Sequence, residues 1–285
     1  MSDKKIMGID LGGTNVRVGV LQNNTLQQVS SMRINATGSE NEVIDDIYHI
    51  IDQSIDASVE AIGIGVPSVV DVERGIVYDV VNIPSWKEVH LKQILEERYE
   101  RPVLVNNDAN CFALGEKYFG KGQDAHSLVG LIIGTGMGAG VIIYDQLYAG
   151  PHCGAGEFGM VDYLDHNYEY YGSGQYFKNV HHAAGEEVFR RAESGDSSAR
   201  NIFYDFGVHL GNAIKMILYT VDPELIILGG SVSNAFPYFE KTMWERISTF
   251  AFSKSLKDFR VEVSALANSG ILGAAALHYD FQKNR

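Results

Sequence analysis

Two stretches far apart in the chain share one local plan: a run of strand-forming residues, a glycine-rich break, and a second strand-like run. The first is residues 6–10, then Leu11-Gly12-Gly13-Thr14, then residues 16–21. The second is residues 128–133, then Gly134-Thr135-Gly136-Met137-Gly138, then residues 139–144. Glycines at a strand end let the backbone turn sharply and bring amide N–H groups close to a ligand with no Cβ in the way. The recurrence predicts two related α/β halves.

The segments around these units fill in both halves. Residues 26–34 complete a three-stranded meander, and Val43, Ile44, Ile47, Ile50, Ile51 and Ile55, at helical spacing behind the N-cap candidate Ser39, predict a helix over 40–58. A buried strand (61–66), a helix (91–99), a strand (103–106) and a helix (109–119) follow. Beyond Gly120-Lys121-Gly122 the pattern restarts, then turns helical over 186–194, 198–219 and 236–250, with a buried strand at 225–228 and an Ala/Leu-rich closing helix. A length of 285 residues suits two domains. The expected division is 1–118 for an N-terminal α/β domain, with a helix over 271–285 packing back on it, and 119–270 for a larger C-terminal α/β domain.

Composition narrows the partners. The formal charge is −13, from 23 Lys and Arg against 36 Asp and Glu, with no basic cluster to interrupt the acidic excess, so a nucleic-acid footprint is not expected. Cys111 and Cys153 are the only cysteines, too few for a disulfide framework or a paired-cysteine zinc site. No apolar run reaches the ~18 residues of a membrane span and no signal-peptide core follows Met1, so a cytoplasmic location without membrane contact is expected. Small molecules are the expected partners.

Two familiar nucleotide motifs fail. The run from Gly115 to Lys121 approximates a phosphate-binding P-loop, but Gly122 stands where Ser or Thr should meet magnesium and a helical pattern precedes it. The run 134–140 lacks the third glycine of a dinucleotide fingerprint, and a strand follows it. What remains is Asp10 at a strand end before Gly12-Gly13, where an ordinary hairpin turn would also suit the glycines; the denser glycine turn at 134–138; and Gly229-Gly230 after a buried strand. Asn106-Asn107-Asp108-Ala109-Asn110 joins a strand to a helix, which places the Asp108 carboxylate near helix amides that favour its charge, or makes it a plain N-cap.

In order, Asp10-Leu-Gly-Gly-Thr14, Gly63-Ile-Gly-Val-Pro67, Asn82-Ile-Pro-Ser-Trp86, Asn107-Asp108-Ala-Asn110, Gly134-Thr-Gly-Met-Gly-Ala-Gly140, Gly156-Glu157-Phe158-Gly159 and Gly229-Gly230-Ser231 resemble the ROK family of sugar kinases and sugar-responsive regulators. The resemblance implies two ribonuclease H-like domains of the actin-like ATPase type with a cleft between them, and ATP- and Mg2+-dependent phosphorylation of a hexose 6-hydroxyl. It implies Asp108 as general base, and Asn82, Asn107, Asp108, Glu157 and Glu169 as sugar ligands. Gly12, Gly13, Thr14, Gly134, Thr135 and Gly136 would cradle phosphate, Gly229 and Gly230 would adjoin adenosine, and Asp10 would serve magnesium. A homodimer is the family habit.

Two departures stand out. Met160 occupies the family's histidine position, and its cysteine-rich zinc motif is missing, so no zinc is expected. Tyr163, Tyr168, Tyr170 and Tyr171 are expected as packing in place of that loop, and His152, His166, His181 and His182 as exposed or capping. A catalytically silent sugar sensor and a kinase for an N-acetylated hexosamine are the alternatives; a repressor's DNA-binding domain is not expected in the nine residues before Asp10.

Overall fold

The computed structural model describes residues 4–283; the ends of the expected segments 1–118 and 271–285 therefore lie partly outside the described residues. In chain order the first elements are β1 (Lys5–Leu11), β2 (Asn15–Gln22), β3 (Thr25–Arg33), α1 (Glu40–Asp52), β4 (Val59–Val66), β5 (Val69–Asp71), β6 (Ile76–Tyr78), β7 (Glu88–Val89), α2 (Leu91–Tyr99), β8 (Val103–Asn107) and α3 (Asp108–Phe119). Next come β9 (Leu128–Ile133), β10 (Met137–Ile143), β11 (Gln146–Leu147), β12 (Asp162–Tyr163), β13 (His166–Asn167), α4 (Tyr168–Gly172), α5 (Gly174–His181), α6 (Gly185–Glu193), α7 (Ser197–Val221), β14 (Leu225–Gly229), α8 (Phe236–Ile247), β15 (Arg260–Val263) and α9 (Ser269–Lys283).

The chain divides into two compact units. One comprises residues up to Asp124, Gly140–Ala155 and the stretch from Ala265; the other comprises Ala125–Ala139 and Gly156–Ser264. Residues 140–155 thus group with the first unit, although they follow the second glycine turn in sequence.

In the first unit the sheet order is β3-β2-β1-β4-β8, with β1, β2 and β3 antiparallel and β4 and β8 parallel to β1. The second unit repeats the plan: β10 and β9 form the hairpin, and β14 and β15 extend it in parallel register. Strand β10 runs on into the first unit's residues, where its end pairs with β11. The echo in the sequence is thus an echo in topology, the α/β architecture expected of the actin-like ATPase fold.

Local chemistry sets the element ends. Helix α1 starts at a capping box, in which the Ser39 amide donates to the Glu42 carboxylate at 2.7 Å and the Glu42 amide to Ser39 Oγ at 3.4 Å. Its buried stripe is Val43, Ile44, Ile47, Ile50 and Ile51, but it stops at Asp52, short of the expected residue 58. There the Asp56 carboxylate accepts the Ser58 amide at 2.7 Å and closes a turn that competes with helix. Helix α7 is capped by Asp196, whose carboxylate accepts the Ser198 amide at 2.8 Å, and ends where Asp222 turns left-handed at φ 48°.

Helix α9 returns to the first unit and packs on β1, β4 and α3. It lies so close that a Cβ at Gly63 would come 1.8 Å from the Ala274 carbonyl oxygen, and one at Gly273 would come 1.6 Å from that of Cys111. Backbone meets backbone there, which only glycine permits.

Candidate active site

In the first unit, Asp10 is the penultimate residue of β1 and the chain turns through Gly12 and Gly13, with the Gly12 amide donating to the Asn15 carbonyl at 2.9 Å. The Asp10 carboxylate lies against the N-terminal turn of α9, where a Cβ at Gly270 would come 2.7 Å from its Oδ2. Arg17 approaches it at 3.8 Å and also donates to Asn268. Burial pushes the Asp10 carboxyl above its ordinary range, and the Arg17 charge opposes that only partly. A cation arriving on a nucleotide phosphate would favour the ionised form of this carboxylate. Thr14 is exposed at the tip of the turn.

Asn82 is exposed on a loop pinned from beneath by the fully buried Ile83 and Trp86, with the Val80 amide donating to the Trp86 carbonyl at 3.0 Å. Its side chain covers Gly13, where an added Cβ would come 2.5 Å from the Asn82 Cβ. The Gly12-Gly13 turn and Asn82 are therefore in contact within one unit.

The Asn-rich segment joins β8 to α3. Asn107, not Asp108, is the N-cap: its Oδ1 accepts the Ala109 amide at 2.8 Å, and its Nδ2 donates to the Ser68 carbonyl at 3.2 Å. Asp108 is the first helical residue, and its Oδ1 also accepts the Ala109 amide at 2.8 Å. Its polar neighbours have a definite task. Asn106 Oδ1, buried, accepts the Asn107 amide at 2.8 Å and Asn110 Nδ2 at 2.9 Å, which holds the first turn in shape.

In the second unit the β9–β10 turn is closed by the Gly134 amide donating to the Gly136 carbonyl at 3.0 Å. It opens on a cavity of about 1240 Å³ whose wall includes Gly134, Thr135, Gln175, Lys178, Arg190 and Ser231. Gly229 is buried at the end of β14 and Gly230 is exposed, where a Cβ would come 2.5 Å from the Ile133 carbonyl oxygen; the following Ser231 and Val232 line the cavity. Lys178 and Arg190 escaped the sequence reading. A basic pair on consecutive helices of an acidic chain is the signal that could have found them.

Glu169, in the first turn of α4, takes two donors: the Met137 amide on Oε2 at 2.9 Å and Gln175 Nε2 on Oε1 at 2.7 Å. Glu157 precedes the short 3-10 turn Phe158–Met160. Its side chain reaches solvent, yet partial desolvation first and the charge of Glu169 second raise its carboxyl above the ordinary range. Met160 is half exposed at the end of that turn.

The tyrosines pack. Tyr163 stacks on Tyr168 at 4.4 Å between ring centres and accepts Asn212 Nδ2 at 2.7 Å, which ties the β12–β13 hairpin to α7. His166 is exposed and stacks on Tyr170, while His182 turns left-handed at the C-cap of α5. His181 differs from expectation: it packs edge-on to Tyr176, with Nε2 buried and unpartnered.

Among the described residues no three His, Cys, Asp or Glu side chains gather as metal ligands, and both cysteines are buried thiols. Magnesium, which keeps much of its water and needs only one or two carboxylates besides phosphate oxygens, fits Asp10. Among the described residues no helix is long and apolar enough to cross a membrane.

A mixed sheet of this order in each unit, each with a glycine turn after its first strand, defines the actin-like ATPase class. The chain belongs to the ROK family, whose model matches residues 6–280. It is 29% identical over 310 residues to a glucokinase of Thermotoga maritima, covering 97% of this chain and 98% of that one. It is 30% identical over 300 residues to an N-acetyl-D-glucosamine kinase of Vibrio parahaemolyticus, covering 95% and 98%. Among solved structures, a ROK family glucokinase from Streptomyces griseus in complex with glucose and AMPPNP matches with a TM-score of 0.79 at 26% identity, covering 96% of this chain and 98% of that one.

Proposed function

We propose that the chain transfers the γ-phosphoryl group of ATP to the 6-hydroxyl of a hexose. The observation that carries this reading is the Gly134–Gly138 turn opening on a nucleotide-sized cavity with Lys178 and Arg190 in its wall. Amide donors and fixed cations are what a polyphosphate needs, and phosphoryl transfer depends on positioning and charge neutralisation more than on covalent chemistry.

In this reading Gly12, Gly13, Thr14, Gly134, Thr135 and Gly136 hold phosphate oxygens, and Ser231 and Val232, presented by Gly229 and Gly230, receive the adenosine. Asp10 would hold magnesium through water, and the ion would supply neutralisation of phosphate charge. Asp108 accepts the proton of the attacking hydroxyl. Asn82, Asn107, Glu157 and Glu169 hold the remaining hydroxyls. Met160 has no hydrogen bond to offer a C2 substituent, so glucose, mannose and 2-deoxyglucose should be handled with similar kcat/KM.

The test is coupled ADP release with glucose, mannose, 2-deoxyglucose, fructose, allose, N-acetylglucosamine and N-acetylmannosamine. Saturable release that requires a hexose and disappears with 6-deoxyglucose supports the reading. Sugar binding without ADP release from any of them replaces it with a silent sugar sensor. A strong preference for glucose over 2-deoxyglucose, unchanged by Met160→His, removes Met160 from the sugar pocket.

A further inference from the structure

Gln175 links the nucleotide cavity to Glu169. It lines the cavity together with Gly134 and Thr135, and its Nε2 donates to Glu169 Oε1 at 2.7 Å. The other carboxylate oxygen accepts the Met137 amide of the glycine turn at 2.9 Å. More bonds close the same loop. The Gly174 amide donates to the Gly134 carbonyl at 2.7 Å, and Ser173 Oγ lies 2.7 Å from the Glu169 carbonyl and 3.2 Å from that of Thr135. Ser173 Oγ also accepts the Gln175 amide at 3.2 Å. Residues 134–137 and 169–175 are thereby one hydrogen-bonded body.

Donor arithmetic leaves room for a ligand on either side of it. A carboxylate offers about four lone-pair sites, and protein donors take two of those on Glu169. A glutamine amide carries two N–H groups, and one is spent on Glu169. We propose that Gln175 is a positioning residue that couples the two substrates: its second N–H meets the nucleotide, its first fixes Glu169 for the sugar, and each substrate raises the affinity for the other. This rests on the reading of Glu169 as a sugar ligand. A substrate that bonds either free end of this pre-formed chain polarises the hydrogen bond joining Gln175 to Glu169 and strengthens the other end, so the second substrate binds more tightly. Linkage makes the effect reciprocal.

The experiment measures the dissociation constant of the best sugar of the panel on the full chain, with and without saturating AMPPNP and magnesium, by titration calorimetry. The wild type should bind sugar at least about fivefold more tightly with nucleotide present, the low end of ordinary coupling factors. Gln175→Met, of similar length but without N–H groups, should bring that ratio to near one and raise the sugar KM more than it lowers kcat. Gln175→Lys, which restores donors, should recover most of the ratio. Should Gln175→Met melt several degrees lower than wild type, Gln175→Glu decides, since a second carboxylate facing Glu169 must abolish the positive coupling. A wild type that binds AMPPNP but no sugar overturns the functional reading and this proposal with it. A wild type that binds both, with the ratio unchanged in the deciding variant, overturns this proposal alone.

Discussion

Asn107 caps α3, and Asp108, whose Oδ1 shares the Ala109 amide, lies at the positive end of the helix, which favours the ionised form that the proposed general base requires. Asp108→Asn should therefore keep the fold and sugar affinity within a few-fold of wild type while kcat drops about 10²–10⁴-fold, the usual weight of a general acid–base group; steady-state kinetics beside sugar titration checks both halves. Gly136 is constrained from a direction its sequence context does not reveal. A Cβ there would come 2.5 Å from Glu169 Oε2, so Gly136→Ala should disturb the carboxylate that Gln175 holds and raise the sugar KM as well as the ATP KM. An effect on ATP alone would place Glu169 outside the sugar site. Asp10 sets activity against stability. Its carboxyl titrates above the ordinary value, so over that pH window the folded chain keeps a proton that the unfolded chain releases, and stability falls as pH rises through it. Asp10→Asn removes the penalty: its melting temperature should exceed wild type at pH 7, the gap should close toward about pH 4, and activity should be lost.

At the scale of elements, the long periodic segments were legible and the short ones were not. The apolar stripes of α1 and α7 and the strand–turn–strand units announce themselves because each spans enough residues to show a period. The small sheet of β5, β6 and β7 and the β12–β13 hairpin have strands of two or three residues, too short for alternation to register. Helix α4 hides for another reason: Tyr168, Tyr170 and Tyr171 read as strand formers, and it is the Asn167 side chain accepting the Tyr170 amide at 2.9 Å that starts the helix. In the candidate site, Asp10, Asp108 and the glycine turns could be found because each stands at a strand end with its motif intact. The tie of Glu169 to Met137 and Gln175 could not, since it depends on how two distant segments register in space. The fit of α9 to its sheet also escapes a one-dimensional reading, and it yields a stability prediction. Gly273→Ala would press a methyl group to 1.6 Å from the Cys111 carbonyl oxygen. Forcing α9 outward should cost about 1–3 kcal/mol or more, as overpacking does, and lower the denaturation midpoint. An unchanged midpoint would mean that α9 does not seat so deeply.

At the scale of the whole molecule, the first unit is discontinuous: its sheet is made early in the chain, residues 140–155 join it later, and α9 completes it from beyond residue 265. The intervening stretch, 156–264, belongs to the second unit. Synthesis runs from the N-terminus, so β1, β4 and α3 leave the ribosome long before the helix that covers them. Until α9 emerges, the glycine-lined face that Gly63 presents has no partner, and apolar surface that the finished protein hides stays open to solvent. The first unit is thus sealed only after residues 156–264 have been translated, and a chaperone or a degradation enzyme acting on the growing chain would meet it open until α9 emerges.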